Sequence, residues 1–255
     1  MKGKKFWQFK AQDSNPSVGE LMLYGDISEY SWWDDDVTPK KFKEDLDALG
    51  DISELKIYIN SGGGDVFAGQ AIHSMLKRHS ATKTVYIDGL AASIASVIAM
   101  AGDKIIMPKN AMMMIHKCWT LAIGNADDMR KMADDMDKID ESIIATYVEK
   151  TGLETDDIIE LMTDETWMTA QDALDYGFAD EIEESKQVAA SMRNGRLLIN
   201  GQEMDVSRFQ NVPEFPKVKK PTRARAEPPA PEPGTELDDQ AVQIAKAKLM
   251  LELQL

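Results

Sequence analysis

Ser93, His116 and the acid pair Asp164 and Glu165 are the side chains whose types fit one reaction. A serine hydroxyl is a weak nucleophile until an imidazole takes its proton, and a carboxylate commonly orients that imidazole. Ser93 lies in Asp88-Gly89-Leu90-Ala91-Ala92-Ser93-Ile94-Ala95-Ser96, where a strand is expected to turn into an apolar helix. Backbone N–H groups at a helix start favour negative charge, and the small neighbours would let a substrate backbone approach. The same position also suits a serine that only caps its helix. Ser96, one turn on, is a second residue of the same kind.

Three histidines are present. His73 and His79 fall on an amphipathic helix and read as one packed and one solvent-facing residue. His116 follows Met112-Met113-Met114-Ile115, a strand that should deliver it to a sheet edge, either as a general base or as a satisfied core histidine. Cys118 shares a strand face with His116 two residues away, an awkward separation for nucleophile and base. Gly62-Gly63-Gly64 lacks the Lys-Ser or Lys-Thr of a Walker loop and the spacing of a dinucleotide fingerprint. Its exposed N–H groups suit an oxyanion site instead. Asp164 and Glu165, just before Trp167, are the candidate orienting acids; a solvated acidic pair is the other meaning of the same two residues.

The elements that must hold these groups alternate between strand and helix. Leu55 to Ile59 has the period of a strand, and Asp65 to His79 that of a helix, with Val66, Ile72, Met75 and Leu76 on one face. Thr84 to Ile87 is a second strand, expected to end at Asp88-Gly89, and Ala91 to Ala101 a helix apolar almost all round. Ile105 to Met107 and Met112 to Ile115 are further strands. Asn125 to Thr151 is one long helix stopped by Gly152, striped with Met129, Met132, Met136, Ile139, Ile143, Tyr147 and Val148. Its length exceeds what one small core covers, so part of the stripe should meet another subunit. Leu197 to Val206 is a hairpin about Asn200-Gly201. This alternation predicts an α/β domain.

The 255 residues suit one large domain plus an appendage. A formal net charge of −15 argues against nucleic acid or an anionic membrane as the general partner. Cys118 is the only cysteine, which excludes an internal disulfide and a Cys-rich zinc site and fits a reducing compartment. No signal peptide or bilayer-length apolar run is visible, so a soluble, cytoplasmic protein is expected. Seven of the ten prolines fall between Pro213 and Pro233. That stretch, with Lys217, Lys219, Lys220, Arg223 and Arg225, reads as a flexible, basic linker over 213–235, followed by an amphipathic helix over 236–255.

Tyr58-Ile59-Asn60-Ser61-Gly62-Gly63-Gly64, Gly89-Leu90-Ala91-Ala92-Ser93, Met113-Met114-Ile115-His116 and Thr169-Ala170 with Ala173, Tyr176-Gly177 and Asp180 together resemble the proteolytic subunit of the Clp protease family. The resemblance covers roughly residues 20 to 185. It implies a Clp/crotonase-like spiral of β-β-α units over 17–186, after an N-terminal segment 1–16 and before a hairpin extension 187–212. A long oligomerisation helix would build homo-oligomeric rings, including stacked heptamers. It makes Ser93 the nucleophile, His116 its base, and Gly64 and Ile94 the backbone donors of the oxyanion hole. Gly62 and Gly63 would pair with an extended polypeptide substrate; Gly62 stands where housekeeping members carry proline. Glu165 takes the place of the family's aspartate, with Asp164 as the fallback. No metal or other cofactor is implied. Trp32-Trp33 with Val37-Thr38, the Glu165-Thr166-Trp167 segment and the long tail are more similar to the phage and prophage branch, which processes capsid and scaffold proteins during head maturation. The alternatives are a housekeeping subunit served by a ring ATPase, a non-catalytic assembly scaffold, and a crotonase-type acyl-CoA enzyme.

Overall fold

The apolar runs of the chain resolve into one mixed sheet with helices packed against it, in a computed structural model that describes residues 5–12, 14–28, 38–184, 190–193, 196–199 and 202–213. All of them belong to the compact unit Met1–Val218. Trp32 and Trp33, the expected linker beyond Pro213 and the expected terminal helix lie outside the described residues.

In chain order the elements are β1 (Trp7–Gln12), β2 (Asn15–Tyr24), α1 (Pro39–Asp47), β3 (Glu54–Ser61), α2 (Val66–Arg78), β4 (Thr82–Ala92), α3 (Ile94–Ala99), β5 (Lys104–Pro108) and β6 (Met112–Ile115). Then come α4 (Ala126–Thr151), α5 (Thr155–Thr163), β7 (Thr166–Thr169), α6 (Ala170–Asp175), β8 (Glu181–Glu183), β9 (Ala190–Arg193), β10 (Arg196–Ile199) and β11 (Gln202–Asp205). The main sheet runs β1-β2-β3-β4-β5-β8, parallel except for β1 against β2.

On the side away from β3, β4 serves two partners, and this fork builds the site. Its first half, Thr84 to Tyr86, pairs with β5, while Leu90 to Ala92 pairs with β6. β6 in turn carries β7 antiparallel on its other side. The expected stop at Asp88-Gly89 is therefore wrong, because the strand continues to Ala92. Gly89 serves close approach rather than a turn: a Cβ there would lie 2.4 Å from Ile199 Cγ2. The Asp88 carboxylate is held in the strand by the Tyr24 hydroxyl. The following helix is correspondingly shorter than expected and begins at Ile94, since Ala91 and Ala92 belong to the strand.

α4 matches its expected span. Asn125 and Asp128 form a capping box, and Gly152 closes the helix in the left-handed region at φ 73°. Its 26 residues reach about 39 Å. Ile143 and Tyr147 in its second half are buried, whereas Met129 and Met132 in its first half remain exposed. The hairpin of β10 and β11 is joined by β9 into a three-stranded sheet. Leu197, Ile199, Met204, Val206 and Phe209 bury against Leu90, Ala92 and Met114, so this small sheet sits on the site-bearing ends of β4 and β6. Among the described residues no helix is long and apolar enough to cross a membrane.

Candidate active site

Ser93 is the elbow between β4 and α3, at φ 55° and ψ −132°. A non-glycine residue held there costs of order 1–3 kcal/mol and persists only when its surroundings enforce it. They do so here. The Ser93 N–H donates to the Met114 carbonyl at 2.9 Å, and Ser96 Oγ donates to the Ser93 carbonyl. Ser96 also bonds the buried Tyr147 hydroxyl at 2.8 Å, so its role is to brace the elbow. The Ser93 side chain makes no cap bond to its own helix, which removes the capping explanation.

The glycine run packs directly on this serine. Gly63 has φ 94°, and a Cβ on it would come within 2.6 Å of Ser93 Cβ. Gly64, at φ 150°, bridges to Ile27, and a Cβ there would strike the Ile27 carbonyl. Among the described residues the N–H groups of Gly64 and Ile94 have no acceptor.

His116 follows the last residue of β6. Its chain continues into two anchors, Lys117 N to the Met162 carbonyl and Cys118 N to Asp140 Oδ1 at 2.8 Å. His116 Nε2 lies 2.8 Å from Ser93 Oγ, so the tautomer protonated at Nδ1 accepts the hydroxyl's hydrogen bond. Burial holds the imidazole below its ordinary pKa; the Glu165 and Asp140 carboxylates oppose that shift and the Arg208 guanidinium reinforces it. The imidazole is thus mainly in its neutral form at pH 7.

Glu165 shares with Ser93 the distinction of a positive φ outside glycine, at 50°, and among the described residues these are the two that do. Its carboxylate is not hydrogen-bonded to His116. Oε1 accepts from Asn211 N at 2.7 Å and from the Trp167 indole at 3.3 Å, and Oε2 accepts from Gln210 N at 2.9 Å. Asp164 is exposed at the end of α5, and its carbonyl, not its carboxylate, is engaged, by Asn211 Nδ2. The structure therefore brings Ser93, His116 and the glycine run together, and leaves the acid beside them but turned elsewhere.

The other candidates fall away from the reaction. Cys118 has its thiol pushed up to about 12 by burial and by Asp140, which leaves almost no thiolate at neutral pH. His79 is part-buried and ends α2, its Nδ1 accepting from Ala81 N, so it is not the solvent-facing residue expected. His73 is part-buried on α2. Three side chains at the site, Asp140, Arg208 and Phe209, had no place in the sequence reading. Asp140 sits on the buried line of α4 with Ile143 and Tyr147, and a lone acid on an apolar stripe is a visible signal. Arg208 and Phe209 come from beyond the hairpin and carry no local signal at all. The Phe209 ring packs edge-on against the His116 ring at 5.3 Å and against Trp167 at 5.8 Å. Among the described residues no group of three or more His, Cys, Asp or Glu side chains could hold a metal ion.

Comparison with known proteins agrees with this geometry in the segment that carries it. The family model described as Clp protease matches residues 38–186. The chain is 31% identical over 140 residues to the ATP-dependent Clp protease proteolytic subunit of Deinococcus radiodurans, covering 54% of this chain and 68% of that protein. It is 33% identical over 140 residues to the protein of the same description from Bacteroides fragilis, covering 54% of this chain and 67% of the relative. Strand fork, serine elbow and matched segment coincide, and the chain belongs to the Clp protease family of serine peptidases.

Proposed function

We propose that the protein is a serine endopeptidase in which Ser93 is the nucleophile, His116 the general base and Glu165 the acid that steadies the imidazolium. The 2.8 Å contact between His116 Nε2 and Ser93 Oγ, at a serine held in an elbow conformation, carries this reading. Ser93 Oγ attacks the peptide carbonyl while its proton passes to His116 Nε2. The carbonyl oxygen takes the negative charge between the free N–H groups of Gly64 and Ile94, a type of interaction whose single donors are worth about 2.7–4 kcal/mol. The C–N bond then breaks, His116 returns the proton to the leaving amine, and water releases the acyl group by the same route. An extended chain would lie along Gly62 to Gly64, its specificity set by alternate side chains.

Assembly into homo-oligomeric rings fits Trp119, Leu121 and Ile123, exposed before α4, together with Met129 and Met132 on its first turns. We read the physiological substrates as capsid or scaffold proteins of a phage head. That reading rests on the resemblance of Trp32-Trp33 with Val37-Thr38, of the Glu165-Thr166-Trp167 segment and of the long tail to the phage and prophage branch. A second reading, a subunit that receives unfolded chains from a ring ATPase in a bacterial cytoplasm, is favoured by relatives named as ATP-dependent. Intact mass after a fluorophosphonate probe, with Ser93→Ala in parallel, tests the chemistry: one adduct on the parent and none on the variant are expected, and an adduct on both would refute the assignment. Stimulation of casein hydrolysis by a ring ATPase would select the second reading over the first.

A further inference from the structure

We propose that residues 208–211 are an autoinhibitory strap, which occupies the substrate-pairing edge at Gly62 and withholds Glu165 from His116 until an incoming chain displaces it. The proposal rests on the serine-protease reading and adds its regulation. Three contacts converge on the machinery from this one segment. Arg208 Nη2 donates to the Gly62 carbonyl at 2.9 Å, where a substrate strand would place a backbone N–H. Phe209 sets its ring edge against the imidazole. The backbone N–H groups of Gln210 and Asn211 take both oxygens of the Glu165 carboxylate.

The closed arrangement is held but not fully satisfied. Arg208 Nε is buried without an acceptor, a cost that release into solvent or onto a substrate removes. The hinge for that release lies just before the strap. Met204, Val206 and Phe209 bury in the small sheet's apolar cluster, whereas Gln210 and Asn211 are exposed. Gln210 and Asn211 can therefore lift while the sheet stays docked, and release of Arg208 has to draw the buried Phe209 ring from that cluster, a cost that substrate contacts must offset. While His116 holds the Ser93 proton in the tetrahedral intermediate, the Glu165 carboxylate has a stronger partner than two amides, so that state favours the open strap.

The test uses the full chain. Arg208→Ala and the parent are compared for the rate of fluorophosphonate adduct formation at Ser93 and for casein hydrolysis. Losing a charge-assisted hydrogen bond should raise both rates by about tenfold. In the parent, hydrogen exchange of the peptide covering 208–211 is measured before and after adduct formation, a readout that needs no variant to fold. The strap amides should be protected in the free protein and lose protection in the adduct. Equal or slower rates in Arg208→Ala, or strap amides that stay protected while Ser93 carries the adduct, overturn the strap alone. No adduct at Ser93 in either protein overturns the protease reading and the strap with it.

Discussion

Gly63→Ala removes no catalytic atom, yet it should disable the site. Gly63 has φ 94°, where an L-residue costs roughly 1–2 kcal/mol, so some stability is lost from strain alone. The steric effect is larger and more local. The new methyl would stand 2.6 Å from Ser93 Cβ and 2.8 Å from the Ala92 carbonyl oxygen, against an ordinary contact of about 3.5–4.0 Å. Relief requires Ser93 to retreat by on the order of 1 Å, and a misplacement of that size costs about 10²-fold in rate. The expected loss in kcat/KM for casein hydrolysis is therefore about 100-fold, equivalent to ~2.7 kcal/mol of barrier. Thermal denaturation should fall by only a few degrees, because about 2–4 °C per kcal/mol is typical of a chain this size. Gly152→Ala is the matched control. Gly152 has φ 73° with nothing within 4 Å of its would-be Cβ, so it should show the stability loss without the rate loss. A Gly63→Ala protein that hydrolyses casein within about threefold of the parent would show that the glycine run does not set the serine's position, and the reasoning would fail.

Other outcomes follow from the same contacts. Because burial holds His116 below its ordinary pKa, the acid limb of the rate profile should have its midpoint below pH 6.5; in Arg208→Ala it should move up, as a cation that opposes protonation is gone. The stability effect has the same sign: between the depressed folded value and 6.5 the unfolded chain binds more protons, so His116 contributes stability above pH 6.5 that is lost as pH falls through that range, readable in denaturation midpoints. Ser96→Ala should cost about 1–3 kcal/mol in urea denaturation, since it strips the buried Tyr147 hydroxyl of its partner, and should slow adduct formation by loosening the elbow. Cys118→Ala should label at the parental rate, and the parent thiol should react slowly with iodoacetamide at pH 8; rapid alkylation there would contradict a thiol pushed up to about 12.

What the sequence made legible was whatever its chemistry requires locally. Three consecutive glycines, a serine among alanines and a histidine after an apolar strand each have few structural uses, and all three features meet within hydrogen-bonding or van der Waals reach. The boundary between β4 and α3 was not legible, because Gly89 to Gly102 is apolar but for Ser93 and Ser96, and periodicity cannot separate a buried strand from a buried helix. Asp88-Gly89 misled for a related reason. The pair has turn chemistry, but its actual demands are tertiary: the Tyr24 hydroxyl on Asp88 and Ile199 pressed against Gly89. The Arg208 contact with Gly62 spans 146 residues of sequence, a distance over which no local pattern reports.

Glu165 shows why position in a motif and position in space are separate questions. The family resemblance makes it the expected orienting acid, with Asp164 as the fallback, and its backbone is strained at φ 50° as that of Ser93 is at 55°. Its carboxylate nevertheless faces amides from 210 and 211 while still acting on His116 through space. A serine and imidazole already in contact need only that carboxylate to turn. Under the proposed strap, the barrier to activity is release of residues 208–211 from Gly62 and Glu165, not the bringing together of Ser93 and His116. Glu165→Asp, one methylene shorter, discriminates between the two sets. If the short side chain reaches His116 better than it reaches the strap, adduct formation at Ser93 should be as fast as in the parent or faster. If the strap contact is what orients the acid for catalysis, the same substitution should slow it, and the view of residues 208–211 as a restraint would give way to one in which they complete the working site.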